Sequence, residues 1–132
     1  MKNILLPKNI LVAGLLLVSI HSFLVGMALI FGPAKMMELF GFVKCNECFF
    51  RYQGGVFHVI MAYAYTAGAI NPLRNEPLIK FSIAAKLTAV LFLFLYYSFV
   101  SHLGIILFSG IGDLLMAVMI LFLFIKFKHF NS

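Results

Sequence analysis

Apolar runs of about twenty residues, broken only by short polar segments, leave a chain few ways to fold. Four such runs divide this sequence, over about residues 9–32, 50–70, 78–100 and 103–125. Each has the roughly 20 residues that a helix needs to cross a hydrocarbon core. Backbone N–H and C=O groups find no water in lipid, and a helix satisfies them within its own segment. The expected fold class is therefore all-α: an integral membrane four-helix bundle, forming a single domain over residues 1–132. Pro33 closes the first run and Asn71-Pro72 the second. Leu73-Arg74-Asn75-Glu76-Pro77 is a polar turn ending in proline, which disfavours helix in the residue before it. Ser101-His102 is so short a connection that the third and fourth helices must be antiparallel neighbours.

Composition agrees with a membrane protein. Hydrophobic residues make up 64% of the chain and charged residues 11%, far from soluble domains. The net charge of +6 does not point to nucleic acid, because the basic residues punctuate the ends of apolar runs instead of clustering on a polar module. The run from Ile10 to Phe31 is too long for a signal-peptide core and has no A-x-A-like cleavage site after it, so it reads as a retained span. With four crossings, Lys2, Lys8, Arg74, Lys80, Lys126 and Lys128 share one side, and Lys35, Lys44 and Arg51 the other. Six against three, under the positive-inside bias, puts both termini in the cytoplasm, with the Cys45–Cys48 loop outside. The expected location is a bacterial inner membrane. Residues 34–43, which mix Met, Leu and Phe with Lys35 and Glu38, suit a short interfacial helix between the first two spans.

Each run carries one ionisable residue well inside it: His21, His58, Lys86 and Asp113. Such groups are costly facing lipid and usually face a bundle interior. Helical spacing sets His21 on a stripe with Gly14, Val18, Val25 and Ala28, and His58 with Gly54, Ala62 and Tyr65. Lys86 falls with Ser82, Ala89 and Leu93, and Asp113 with Ile106, Gly110 and Ala117. All four stripes hold small residues of the kind that let helices approach closely. They are read as one polar interior, with Lys86 reaching toward Asp113. This interior either holds the helices in register or forms a pocket for a small molecule or ion. No metal-ligand spacing is visible across the separate helices.

The segment Cys45-Asn46-Glu47-Cys48-Phe49-Phe50-Arg51 leads into the second span. A helix N-terminus, Lys44 and Arg51 would favour thiolate there, and Glu47 would oppose it. The pattern resembles that of quinone-linked disulfide-oxidising membrane proteins of the DsbB type, which also have four helices and an outward C-x-x-C followed by an arginine. That resemblance implies a redox pair of Cys45 and Cys48, with Arg51 holding a quinone. Those proteins have a second cysteine pair in the other outer loop, where this chain has only Ser101-His102.

Over nearly its whole length the chain resembles the DoxX-like superfamily of small four-helix membrane proteins. The likeness rests on Pro33 with Glu38-Leu39-Phe40-Gly41-Phe42, on Arg51-Tyr52-Gln53-Gly54-Gly55, on Pro72, and on Gly112-Asp113-Leu114-Leu115. It implies a subunit or assembly factor associated with membrane redox complexes. Three functions follow as expectations. The first is a non-catalytic subunit that binds other membrane proteins or itself; the second is a thiol–quinone oxidoreductase. The third is a small-molecule or ion carrier using His21, His58, Tyr65, Lys86 and Asp113.

Overall fold

A computed structural model describes the backbone of residues 2–131 and the side chains of residues 7–130. Within it the chain is all-α, with helices α1 (Lys2–Phe31), α2 (Ala34–Leu39), α3 (Phe49–Ile70), α4 (Glu76–Phe99) and α5 (Gly104–Asn131). The helices follow the apolar runs and extend beyond several of them. α4 begins at Glu76 with Pro77 in its first turn, where proline's missing N–H costs nothing. α5 continues past Ile125 because Phe127, 1% exposed, still packs into the core.

Among the described residues three helices are long and apolar enough to cross a membrane: α1 from Pro7 to Phe31, α4 over Glu76–Phe99, and α5 from Gly104 to Phe130. α3 differs from them in composition. Its 22 residues give a rod about 33 Å long, but Arg51, Tyr52, Gln53 and His58 make it less apolar than the other three.

α1 packs against α3 and α5, and α4 packs against the same two helices. α1 and α4 therefore lie on one diagonal, α3 and α5 on the other. Chain-neighbouring helices run antiparallel, as the facing pairs Gly26 with Gly55, Leu15 with Gly68, and Phe94 with Gly110 require. This places Lys8, Arg74, Lys80, Lys126 and Lys128 at one end of the molecule and Lys35, Lys44 and Arg51 at the other. The side chain of Lys2 lies outside the described residues. Glu76 joins the first end together, pairing with Lys80 and Lys128 at 2.8 Å each.

The apolar core fills the half nearer the chain termini. Leu11, Leu15 and Val18 of α1 meet Tyr65 and Ala69 of α3, Ile79 of α4, and Ile120 and Phe127 of α5. Outward faces carry large apolar residues throughout, including Leu17 on α1, Tyr63 on α3, Leu91 on α4 and Phe122 on α5. A surface of that kind suits a lipid environment.

α2 has no buried residue. It ends in a Schellman turn: the Phe42 N–H donates to the Met37 carbonyl, and the Gly41 N–H to the Glu38 carbonyl. Gly41 sits at φ +89°, where L side chains are strained, so the glycine of Glu38-Leu39-Phe40-Gly41-Phe42 is what lets the chain turn back over the helix ends.

The tightest approach lies between α1 and α3. A Cβ on Gly26 would come within 2.8 Å of the Gly55 carbonyl oxygen, and one on Gly55 within 2.9 Å of the Gly26 oxygen. Both neighbours are backbone and cannot swing aside. Gly26→Ala and Gly55→Ala are each expected to cost about 1–3 kcal/mol through forced separation of the helices. Gly112→Ala, where nothing lies within 4 Å of the new methyl, should cost far less. Unfolding of the three variants in detergent micelles would check this, and equal losses would contradict the close packing.

Candidate functional site

Above the apolar core the four long helices leave a cavity of about 110 Å³. Lys86 of α4 and Asp113 of α5 form its charged wall. Lys86 Nζ donates to Asp113 Oδ1 at 2.5 Å; the lysine side chain is 4% exposed and the aspartate 14%. The ammonium also lies 5.9 Å from the centre of the Tyr65 ring, whose face attracts a cation. Tyr65 is itself buried.

α1 and α3 supply the opposite wall. The Ser22 hydroxyl donates to the His58 carbonyl oxygen at 3.0 Å and lies 3.3 Å from His58 Nδ1. Having given its one hydrogen to the carbonyl, the hydroxyl can accept from the ring when Nδ1 carries the proton. A turn further into the core, Ser19 donates to the Ala62 carbonyl at 2.7 Å and meets the Thr66 hydroxyl at 2.8 Å. The α1–α3 seam is thus closed by small residues at Gly26 and Gly55 and by hydroxyls below them. The cavity is smaller than the roughly 300–1,000 Å³ of ligand pockets. It has room for a few waters.

Of the residues expected to share this interior, the structure brings together His58, Tyr65, Lys86 and Asp113. It does not bring in His21, which is exposed on the outer face of α1. The reason is rotational: the buried stripe of α1 runs through Leu11, Leu15, Val18, Ser22 and Gly26, and His21 stands about 100° away from Ser22. Ser22, which takes the place assigned to the histidine, carries no charge and so escaped a search for ionisable groups. Its seven-residue spacing from Leu15 was the available signal.

Arg51 also lies apart from the polar interior. It stands on the first turn of α3, where an Nη2 hydrogen is donated to the Gly32 carbonyl at the end of α1. Its Nε is buried and has no acceptor. Cys48 occupies the N-cap position of α3 without a side-chain capping bond, and Cys45 is exposed three residues earlier. The Cys45 thiol donates to the Glu47 carbonyl at 2.8 Å, and the Cys48 thiol to the Cys45 carbonyl at 3.7 Å.

The pKa of Cys45 is raised above the ordinary thiol value, chiefly by its hydrogen bond with Cys48. The charges act on Cys45 with the expected signs, Arg51 lowering its pKa and Glu47 raising it. A net shift upward favours the thiol over the thiolate.

Among the described residues no group of His, Cys, Asp and Glu is arranged to hold a metal ion. No protein-family model, no curated protein and no solved structure matches this chain.

The raised pKa gives a signed expectation. Alkylation of Cys45 by iodoacetamide, followed by mass spectrometry across a pH series, should show a midpoint above that of an ordinary thiol. Cys48→Ala removes the largest cause and should bring that midpoint down. A midpoint below the ordinary range in the unmodified protein would restore the activated-thiolate reading.

Proposed function

We propose that this chain is a four-span protein of the bacterial inner membrane, with both termini cytoplasmic. It serves as a non-catalytic subunit or assembly factor of a larger membrane complex, of the respiratory or redox kind that the DoxX-like resemblance implies. α3 completes the fourth crossing in this reading. Its length of about 33 Å is sufficient for a hydrocarbon core of about 30 Å, and its polar residues face α1 or lie at its end. The excess of basic residues at the terminal end supports the orientation.

The observation that carries the subunit reading is the position of His21. It lies in the middle of α1, on an outer face otherwise made of Leu17, Leu24 and other large apolar residues. An imidazole facing hydrocarbon at that depth is costly, whereas one covered by a neighbouring protein helix can find a hydrogen-bond partner. Among the described residues little projects beyond the helices, and an association through His21 is made within the bilayer.

Leu17, one turn from His21 and 58% exposed, is the position for the test. A photo-crosslinking amino acid placed there in native membranes should give a discrete protein adduct, and His21→Leu should reduce its yield severalfold. Adducts to lipid alone would contradict the subunit reading.

A further inference from the structure

At the end of the molecule opposite the chain termini, a second cavity of about 320 Å³ lies between the end of α1, α2 with its Schellman turn, and the start of α3. Its volume falls within the range of small-ligand pockets. The walls are apolar, made by Leu29, Met37, Phe42 and Phe50, and Arg51 is the one charged side chain among them. Phe50 and Val43 at the rim are 80% and 90% exposed, so the cavity opens outward.

The guanidinium there is unbalanced. It is charged at every accessible pH. Its Nη2 has a backbone carbonyl, its Nε is buried without an acceptor, and no carboxylate among the described residues pairs with it. The ring of Tyr52, 5.8 Å away, offers a π face but no anion. A carbonyl dipole does not neutralise a cation, whereas a carboxylate or phosphate could pair with the guanidinium through charge-assisted hydrogen bonds.

We propose that this cavity binds an amphiphile with an acyl chain and an anionic head, the chain lying along Leu29, Met37 and Phe42 and the head pairing with the Arg51 guanidinium where it lines the cavity. A free fatty acid and an anionic phospholipid of the surrounding bilayer share this chemistry. The site is separate from both the His21 face and the Lys86–Asp113 cavity, so it stands or fails independently of the subunit reading.

Native mass spectrometry of the protein in a non-ionic detergent, titrated with oleate, phosphatidylglycerol and the neutral oleyl alcohol, tests the proposal. At least one anionic amphiphile should bind about tenfold or more tightly than oleyl alcohol. Preference for oleate assigns the site to free fatty acid, and preference for phosphatidylglycerol assigns it to bilayer lipid. Arg51→Gln should abolish that preference, and Arg51→Lys should keep part of it, since the charge remains and the planar guanidinium fork is lost. Gly54 lines the cavity, and a Cβ there would meet only Leu29 at 3.9 Å. Gly54→Leu therefore fills the space with Arg51 intact, and should weaken all three amphiphiles about tenfold without unfolding the protein. Oleyl alcohol binding as tightly as both anionic amphiphiles, or an unchanged preference in folded Arg51→Gln, would overturn the assignment. So would Gly54→Leu binding as the unmodified protein does.

Discussion

The contact between Lys86 and Asp113 constrains the rest of the structure most. Removing two ions from water costs several kcal/mol for each, and the attraction between them offsets this only at contact distance. On α4, otherwise an apolar helix, any rotation away from α5 would carry an ammonium into hydrocarbon. The pair therefore sets the rotation of α4 and its register along α5, and the short connection from Val100 to Leu103 keeps the two helices adjacent. Tyr65 then presents its ring to the lysine from α3. Three of the four long helices are oriented about one charge pair.

α1 joins by a different force. Gly26 and Gly55 bring its backbone against that of α3, and the hydroxyls of Ser19 and Ser22 bond to carbonyls across the same seam. Small residues and hydroxyls hold this part of the seam, which agrees with how helices pack where water supplies no hydrophobic drive between them. Its small residues are thus used within the chain. What remains for other molecules is the outer face bearing His21 and the open end around Arg51. The two cavities differ accordingly: one is small and holds the paired Lys86 and Asp113, and the other is larger and holds the unpaired Arg51.

Much of this was legible in the sequence, for physical reasons that can be traced residue by residue. Apolar runs bounded by proline or polar turns predicted the long helices, because helix length in such a chain follows the length of the run. The stripes through Gly54, His58, Ala62 and Tyr65, and through Ile106, Gly110, Asp113 and Ala117, predicted which faces of α3 and α5 turn inward, since small and polar residues coincide there. His21 broke the rule. Gly14 and Val18 of its stripe are buried, but the true buried face of α1 passes through Ser22, and a hydroxyl gives a weaker compositional signal than an imidazole. The cavity beside Arg51 was not legible, because it depends on how the turn at Gly41 brings Phe42 back toward α3. The rise in the Cys45 pKa was not legible for a similar reason: it comes chiefly from how the loop sets Cys48 beside it.

A double-mutant cycle on Lys86 and Asp113 in lipid bilayers, with stability read by reversible unfolding, tests the central claim most directly. Asp113→Leu and Lys86→Met alone should each cost about 3–5 kcal/mol, because each leaves an uncompensated buried charge. Together they should cost much less than the sum, as the remaining charge is removed as well. Single costs below about 1 kcal/mol that simply add would show that the two groups do not meet in the membrane. The arrangement of α3, α4 and α5 about them would then be wrong.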